Sequence, residues 1–160
     1  MREILFRGKR TDKGEWVEGN LVLSPNAYEG YQAIVIPCYY NYMYTSDYNN
    51  DVGFETWYKI EPETVGQFTG LTDKNGKKIF EGDYWIETNG DYLVYVVEFR
   101  DGQFGFVCYG ITGVLMPYGY DETAGGWDEI DFNPFTDFYM DKIEITGNIH
   151  DNPELLKGEE

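Results

Sequence analysis

The feature that most constrains this 160-residue chain is a rhythm of short aromatic and β-branched runs, each ended by a glycine-containing turn. Asp12-Lys13-Gly14, Asn75-Gly76, Asn89-Gly90 and Asp101-Gly102 punctuate it. Asn-Gly and Asp-Gly accept the positive φ that tight hairpin turns require. Between turns the apolar residues recur every second position. In residues 16–23, Val17, Leu21 and Leu23 fall on one face and Glu18 and Asn20 on the other. That period belongs to a half-buried strand. Leu93, Tyr95, Val97 and Phe99 repeat the pattern, and Asp101-Gly102 then turns the chain into residues 104–109. Ile143, Ile145 and Ile149 alternate with polar neighbours as a late strand. No segment carries a long amphipathic helix pattern. The chain is therefore read as all-β with short helical turns, one of them starting at Pro153 and one short helix within 128–140. Residues 31–37 read as a buried strand, 39–47 as a Tyr-rich strand or loop with Tyr40, Tyr42 and Tyr44 on one face, and 46–53 as a polar loop. Many short strands at this spacing point to a sandwich or a partly open barrel. The boundary is placed where the Asn-rich loop ends: an N-terminal β segment over 1–62 and a barrel-type segment over 63–160, or one continuous domain.

Charge narrows the partners. The chain has 29 acids against 12 bases, a net charge of −17, which opposes non-specific binding to a polyphosphate. The bases are clustered. Arg2, Arg7, Lys9, Arg10 and Lys13 crowd the N-terminal stretch, Lys74, Lys77 and Lys78 share one turn, and no Lys or Arg occurs from Asp101 to Met140. Arg2, Arg7, Lys9, Arg10, Lys74, Lys77 and Lys78 are the candidate interaction residues. The longest apolar stretch, 33–40, is too short to span a bilayer and contains Pro37. With no apolar signal segment after Met1, the expected location is cytoplasmic and the expected partners exclude membranes.

The usual catalytic constellations are thin. There is one His, His150, and the two cysteines, Cys38 and Cys108, lack the spacing of a disulfide framework or a zinc site. Activating a thiol needs a nearby base and an electropositive setting, whereas Cys108 lies in an aromatic strand. The glycines of the central region do not have the spacing of a phosphate loop. Asp121, Glu122, Asp128, Glu129 and Asp131 gather around Gly125-Gly126, and hard oxygen ligands on a loop suit Ca²⁺ or Mg²⁺. Their spacing departs from the EF-hand pattern, so they are weak metal candidates. No cofactor and no catalytic residue are assigned.

Three blocks of sequence carry a resemblance. The first is Arg2-Glu3-Ile4-Leu5-Phe6-Arg7-Gly8-Lys9 with Gly14-Glu15-Trp16-Val17-Glu18-Gly19. The second is the run from Val65-Gly66-Gln67-Phe68-Thr69-Gly70-Leu71-Thr72 through Asp73-Lys74-Asn75-Gly76-Lys77-Lys78-Ile79-Phe80-Glu81-Gly82-Asp83. The third is Ile145-Thr146-Gly147-Asn148-Ile149-His150-Asp151-Asn152-Pro153-Glu154-Leu155-Leu156. In this order they resemble the YopX family of bacteriophage and prophage proteins. Residues 26–50 and 111–141 lie outside the resemblance. It implies a phage product in a bacterial cytoplasm, and a mainly β fold with a small SH3-like barrel in the second half. It supplies no catalytic site. Gly66, Gly70, Asn75, Gly76, Gly82 and Asp83 are read as structural residues of the central run, with glycine providing unusual backbone angles or close chain approach.

The expected function is a non-catalytic interaction protein that associates with itself, its basic arm complementing the acidic remainder between subunits. A host or phage protein is a further expected partner. Two alternatives stand beside it. One is a protein of nucleic-acid machinery, acting by direct binding through the basic N-terminus or by acidic mimicry of nucleic acid. The other is a metal-assisted hydrolase built on the carboxylates of 121–131.

Overall fold

The computed structural model describes residues 3–24, 32–38, 43–46, 51–87, 93–111, 115–117, 120–121, 126–127, 132–135 and 142–152. It is all-β. The chain divides into two compact units, Met1–Phe68 and Thr69–Glu160.

The first unit holds β1 (Phe6–Lys9), β2 (Trp16–Ser24), β3 (Gln32–Pro37), β4 (Met43–Ser46), β5 (Asp51–Phe54), β6 (Tyr58–Ile60) and the start of β7 (Gly66–Thr72). Its main sheet is antiparallel in the order β6-β3-β2-β1-β7. The register pairs Leu21 with Val35 and Leu23 with Ala33. Directly opposed residues share a face, so the alternation seen in the sequence becomes an apolar surface. Ala33, Val35 and Ile60 are its buried centre, with Val17, Leu21 and Val65 packed on them. Fully buried side chains the size of Val35 and Ile60 contribute about 1.5–3 kcal/mol each.

This sheet curls. Beyond its ladder with β3, β6 also meets the end of β1. Arg10 bridges Ile60, Thr11 N–H donates to Lys59 O, and Glu61 N–H donates to Lys9 O. A short 3₁₀ turn, Pro62–Thr64, is pinned to the same strand. The Thr64 hydroxyl accepts from Lys9 N–H at 2.8 Å and donates to Glu61 O at 2.7 Å. Gly8 of β1 makes room for β6, since a Cβ there would run into the Ile60 side chain. Between β2 and β3 the close residue is Gly19. A Cβ on Gly19 would sit 2.1 Å from the Ile36 carbonyl oxygen.

Past the unit boundary β7 continues, and its second half pairs with β8 (Lys78–Phe80). The second unit adds β9 (Asp83–Glu87), β10 (Leu93–Arg100), β11 (Gln103–Ile111), β12 (Leu115–Pro117), β13 (Tyr120–Asp121), β14 (Gly126–Trp127), β15 (Phe132–Pro134) and β16 (Gly147–Asn148). Its main sheet runs β12-β11-β10-β9-β16, with β15 also on β11. Both faces of β10 are buried. Val97 packs with Ile79, Trp85, Phe106, Ile143 and Ile145. Val94 and Val96 pack with Tyr84 on the other side. The Trp85 and Tyr95 rings stack at 5.0 Å, with Phe106 edge-on to Trp85 at 5.3 Å.

Several expectations are corrected here. The SH3-like barrel of the second half is not confirmed: among the described strands the terminal ones, β12 and β16, do not pair, and no closed barrel is formed. Residues 51–53, read as loop, belong to strand β5, because Gly53 lets the Tyr44 ring of β4 lie across it. The late strand is only Gly147–Asn148. Ile143 and Ile145 are buried, but the backbone around them bonds to a turn, described below, instead of a ladder. Within 128–140, residues 132–134 are strand β15. Phe135, next to it, is in 3₁₀ conformation; the remaining helix positions proposed there, the turn from Pro153, and Tyr40 and Tyr42 lie outside the described residues. The Asp101-Gly102 hairpin is as read, with φ of 49° and 82°.

Gly70, Gly76 and Gly82 have φ of 89°, 79° and 81°. A Cβ on Gly76 would meet nothing within 4 Å, so the constraint there is conformational alone. Gly76→Val should therefore lower stability by about 1 kcal/mol or more. Gly19→Val should cost more, on the order of 3 kcal/mol, because its side chain is driven into backbone. Thermal melts of the two variants check the order; a Gly76→Val melt equal to wild type contradicts the turn.

Candidate functional site: a carboxylate-braced cleft

The second unit builds its most distinctive geometry on two buried acids. Asp73 is 4% exposed and Asp83 1% exposed. Asp73 opens the turn that Asn75-Gly76 completes. Its Oδ1 accepts from Asn75 N–H at 2.8 Å and from Lys77 N–H at 2.9 Å, the side-chain-to-backbone bonding of an Asx turn. Its Oδ2 accepts from Ile145 N–H at 3.1 Å, across a separation of 72 residues. Lys74 N–H donates to Ile143 O at 3.0 Å beside it. Burial opposes ionisation of Asp73, but the N–H groups of Lys77, Ile145 and Asn75 prevail and hold the carboxyl below its ordinary value of 3.8. Asp83 does the same work one strand on. Its Oδ2 accepts from Phe80 N–H at 2.8 Å and its Oδ1 from Asn148 Nδ2 at 3.3 Å. Asn148 Oδ1 in turn accepts from His150 N–H at 2.9 Å. The central and the C-terminal blocks of the sequence are thus tied to each other by side chains that replace missing ladder partners.

Beside this brace lies a cleft of about 500 Å³, lined by Lys74, Trp85, Ile86, Glu87 and the backbone-braced segment 142–146. Lys74 Nζ and Glu144 Oε2 pair over it at 2.6 Å. Glu87 hydrogen-bonds with the Tyr95 hydroxyl, which also bonds to Cys108. Burial raises the Cys108 thiol above its ordinary value, the reverse of what a thiolate nucleophile needs. Tyr109 is pushed up to about 12 by burial and by Glu98, to which its hydroxyl donates at 3.0 Å.

The candidate interaction residues fall in different places. Arg7 and Lys9, on β1, both approach the Trp16 ring, at 4.7 and 5.5 Å. Arg10 covers the Tyr58 ring at 4.1 Å and makes a two-pronged pair with Asp12 at 2.9 and 2.6 Å. That hydrogen bond holds the Asp12 carboxyl below its ordinary value. Arg2 lies outside the described residues. Lys74, Lys77 and Lys78 are in the second unit, Lys77 exposed and Lys74 bound to Glu144. Of the proposed metal ligands, Asp121 is on β13, and Glu122, Asp128, Glu129 and Asp131 lie outside the described residues. Among the described residues no group of three or more His, Cys, Asp and Glu could hold a metal ion, and no helix is long and apolar enough to cross a membrane.

From sequence Asp83 is legible as a structural residue, whereas Asp73, Asn148, Glu144 and Lys142 are not singled out. Asp73 carried a readable signal, an Asp two residues before an Asn-Gly. Asn148 and Glu144 carried none, because their partners are remote in sequence.

These features define an all-β protein whose central turn and C-terminal segment are joined by buried carboxylates. The chain belongs to the YopX protein family, whose family model matches residues 5–157. A search of curated proteins returned no match.

The brace has a pH signature. A carboxyl whose folded pKa is depressed contributes stability above its unfolded value and loses it as pH falls through the folded one. Asp73→Asn should therefore cost about 2–3 kcal/mol at pH 7, since N–H donors lose a charged acceptor. It should also flatten the loss of stability on acidification below about pH 4. Melts of both proteins from pH 7 to pH 2 test this; parallel pH curves would contradict the assignment.

Proposed function

We propose that this chain is a non-catalytic phage or prophage protein of the bacterial cytoplasm that works as a protein-interaction module and associates with itself. The supporting observation is where large apolar side chains meet solvent. In the first unit Ile4, Val22, Leu23, Met43, Tyr44 and Trp57 are all exposed, Trp57 at 56%. Exposed apolar surface can mark a protein–protein contact; Val22 and Leu23 project from opposite faces of β2, each 45% exposed. The polar side chains of the family blocks support the same reading. Asp73, Asp83 and Asn148 are used as ligands for backbone and for each other, which gives the central run a structural reason to be as it is.

The basic strand favours protein contact over direct phosphate binding. Arg10 is already clamped by Asp12, with Glu15 at 3.6 Å, and Arg7 is only 9% exposed. A phosphate would have to displace these contacts.

Self-association is tested by light scattering and sedimentation of the full chain at low and moderate salt. Wild type should exceed the monomer mass as concentration rises, and a Val22→Glu, Trp57→Glu double variant should return it to monomer with its melt retained. A wild type that stays monomeric at every concentration removes the self-association part.

A further inference from the structure

We propose that Asn75 is a site of spontaneous deamidation, masked while the central turn is closed and released when the Asp73 brace opens. The proposal concerns the chemistry of that turn and does not depend on the chain's associating with itself.

The reaction needs an Asn followed by a residue with an unshielded nitrogen. The Gly76 nitrogen, on losing its proton to water or hydroxide, attacks Cγ of the Asn75 side chain. A C–N bond forms, the Cγ–Nδ2 bond breaks, and Nδ2 leaves as ammonia, closing a five-membered succinimide. Water then opens the ring at either carbonyl. The products are Asp, or isoaspartate, in which the main chain runs through Cβ and Cγ. Glycine permits the close approach because it has no Cβ. Both residues are exposed here, and a Cβ on Gly76 would meet nothing within 4 Å. Water access and sterics thus leave the reaction open.

The closed turn blocks it by geometry. Gly76 N–H donates to Asp73 O at 2.9 Å, which makes Lys74 and Asn75 the central residues of a β-turn. Neither has a positive φ, so the turn is type I, with ψ of about 0° at Asn75. Ring closure needs the Gly76 nitrogen eclipsed with Asn75 Cβ about the Cα–C bond. At that ψ it is eclipsed with the Asn75 nitrogen instead. The proton that must leave Gly76 is also committed to Asp73 O. Both blocks fall only when the turn opens, and the Asp73 carboxylate is what holds it. Oδ1 takes the N–H groups of Asn75 and Lys77, and Oδ2 anchors the turn to Ile145. A reaction that passes through a transiently open state follows the population of that state. Asp73 therefore sets the rate at which Asn75 is lost. The change is permanent: isoaspartate lengthens the main chain inside residues 73–77, where one oxygen must reach two N–H groups.

The test ages the full chain at mildly alkaline pH and digests it with a Glu-specific protease. Mass and chromatography then follow Asn75 in the fragment 64–81, with a synthetic 64–81 peptide aged alongside. Asn89-Gly90, in the fragment 88–98 of the same digest, is the internal reference. Wild type should lose Asn75 at least about tenfold more slowly than the peptide. Asp73→Ala, with its folded melt verified, should speed the loss about tenfold, and more than it speeds loss of Asn89. Should the alanine variant not fold, Asp73→Ser keeps one weaker acceptor for the turn and should give a smaller acceleration of the same kind. Loss of Asn75 in wild type as fast as in the peptide would overturn the proposal. So would a folded Asp73 variant that is no faster than wild type, or one in which Asn75 and Asn89 accelerate in step.

Discussion

The structure of the second unit depends on carboxylates standing in for β-ladders. A backbone N–H buried without an acceptor costs about as much as the hydrogen bond it lacks. The turn at residues 73–77 and the extended segment at 143–146 bury such groups where no strand is available. Asp73 accepts three of them with two oxygens. Asp83 and Asn148 form a second, linked set around β9 and β16. Ionised acceptors make stronger hydrogen bonds than neutral ones, which suits two short strands that could not hold by pairing alone.

That arrangement has consequences for the core. Fixing residues 143–145 against the turn places Ile143 and Ile145 under Trp85, Val97 and Phe106. The Trp85–Tyr95 stack then orders the strand from which Glu87 and Ile86 face the cleft. Polar bracing and apolar packing are therefore not separate layers here. The carboxylates set the path of a segment, and the segment supplies two of the six buried residues of the hydrophobic cluster. The first unit solves a different problem by a different route. Its sheet curls until β6 touches the end of β1, and the close approach relies on residues without side chains and on the Thr64 hydroxyl.

The charge distribution shows how differently the same residue types can be used. Bases that crowd together in sequence are spent on rings and neighbouring acids along β1, Arg10 on Tyr58 and Asp12, Arg7 and Lys9 on Trp16. Of the bases of the central turn, Lys74 lines the cleft and is paired with Glu144. A charge run in sequence is therefore a poor guide to a binding face, because an adjacent Asp or an aromatic ring across a ladder can absorb it.

What could be read from sequence alone was whatever depends on neighbours along the chain. The alternation in residues 16–23 and in β10, the hairpin at Asp101-Gly102 and the positive φ of Gly76 are local properties, set by side-chain period and by the steric freedom of glycine. The three family blocks were also legible, since they are matters of residue identity and order. What only the tertiary structure decided was where those blocks meet. Nothing near Ile145 reveals that its N–H is bound by Asp73. Nothing near Phe99 reveals that the next positions inward, Val96 and Val94, are buried as fully as Val97. Closure of a barrel in the second half was not legible for the same reason: it depends on whether the two end strands find each other, which among the described strands β12 and β16 do not, and turn spacing carries no information about that. The cleft beside Ile86 exists because a remote carboxylate holds one wall of it, and a contact over 72 residues of separation leaves no periodic trace in the chain that makes it.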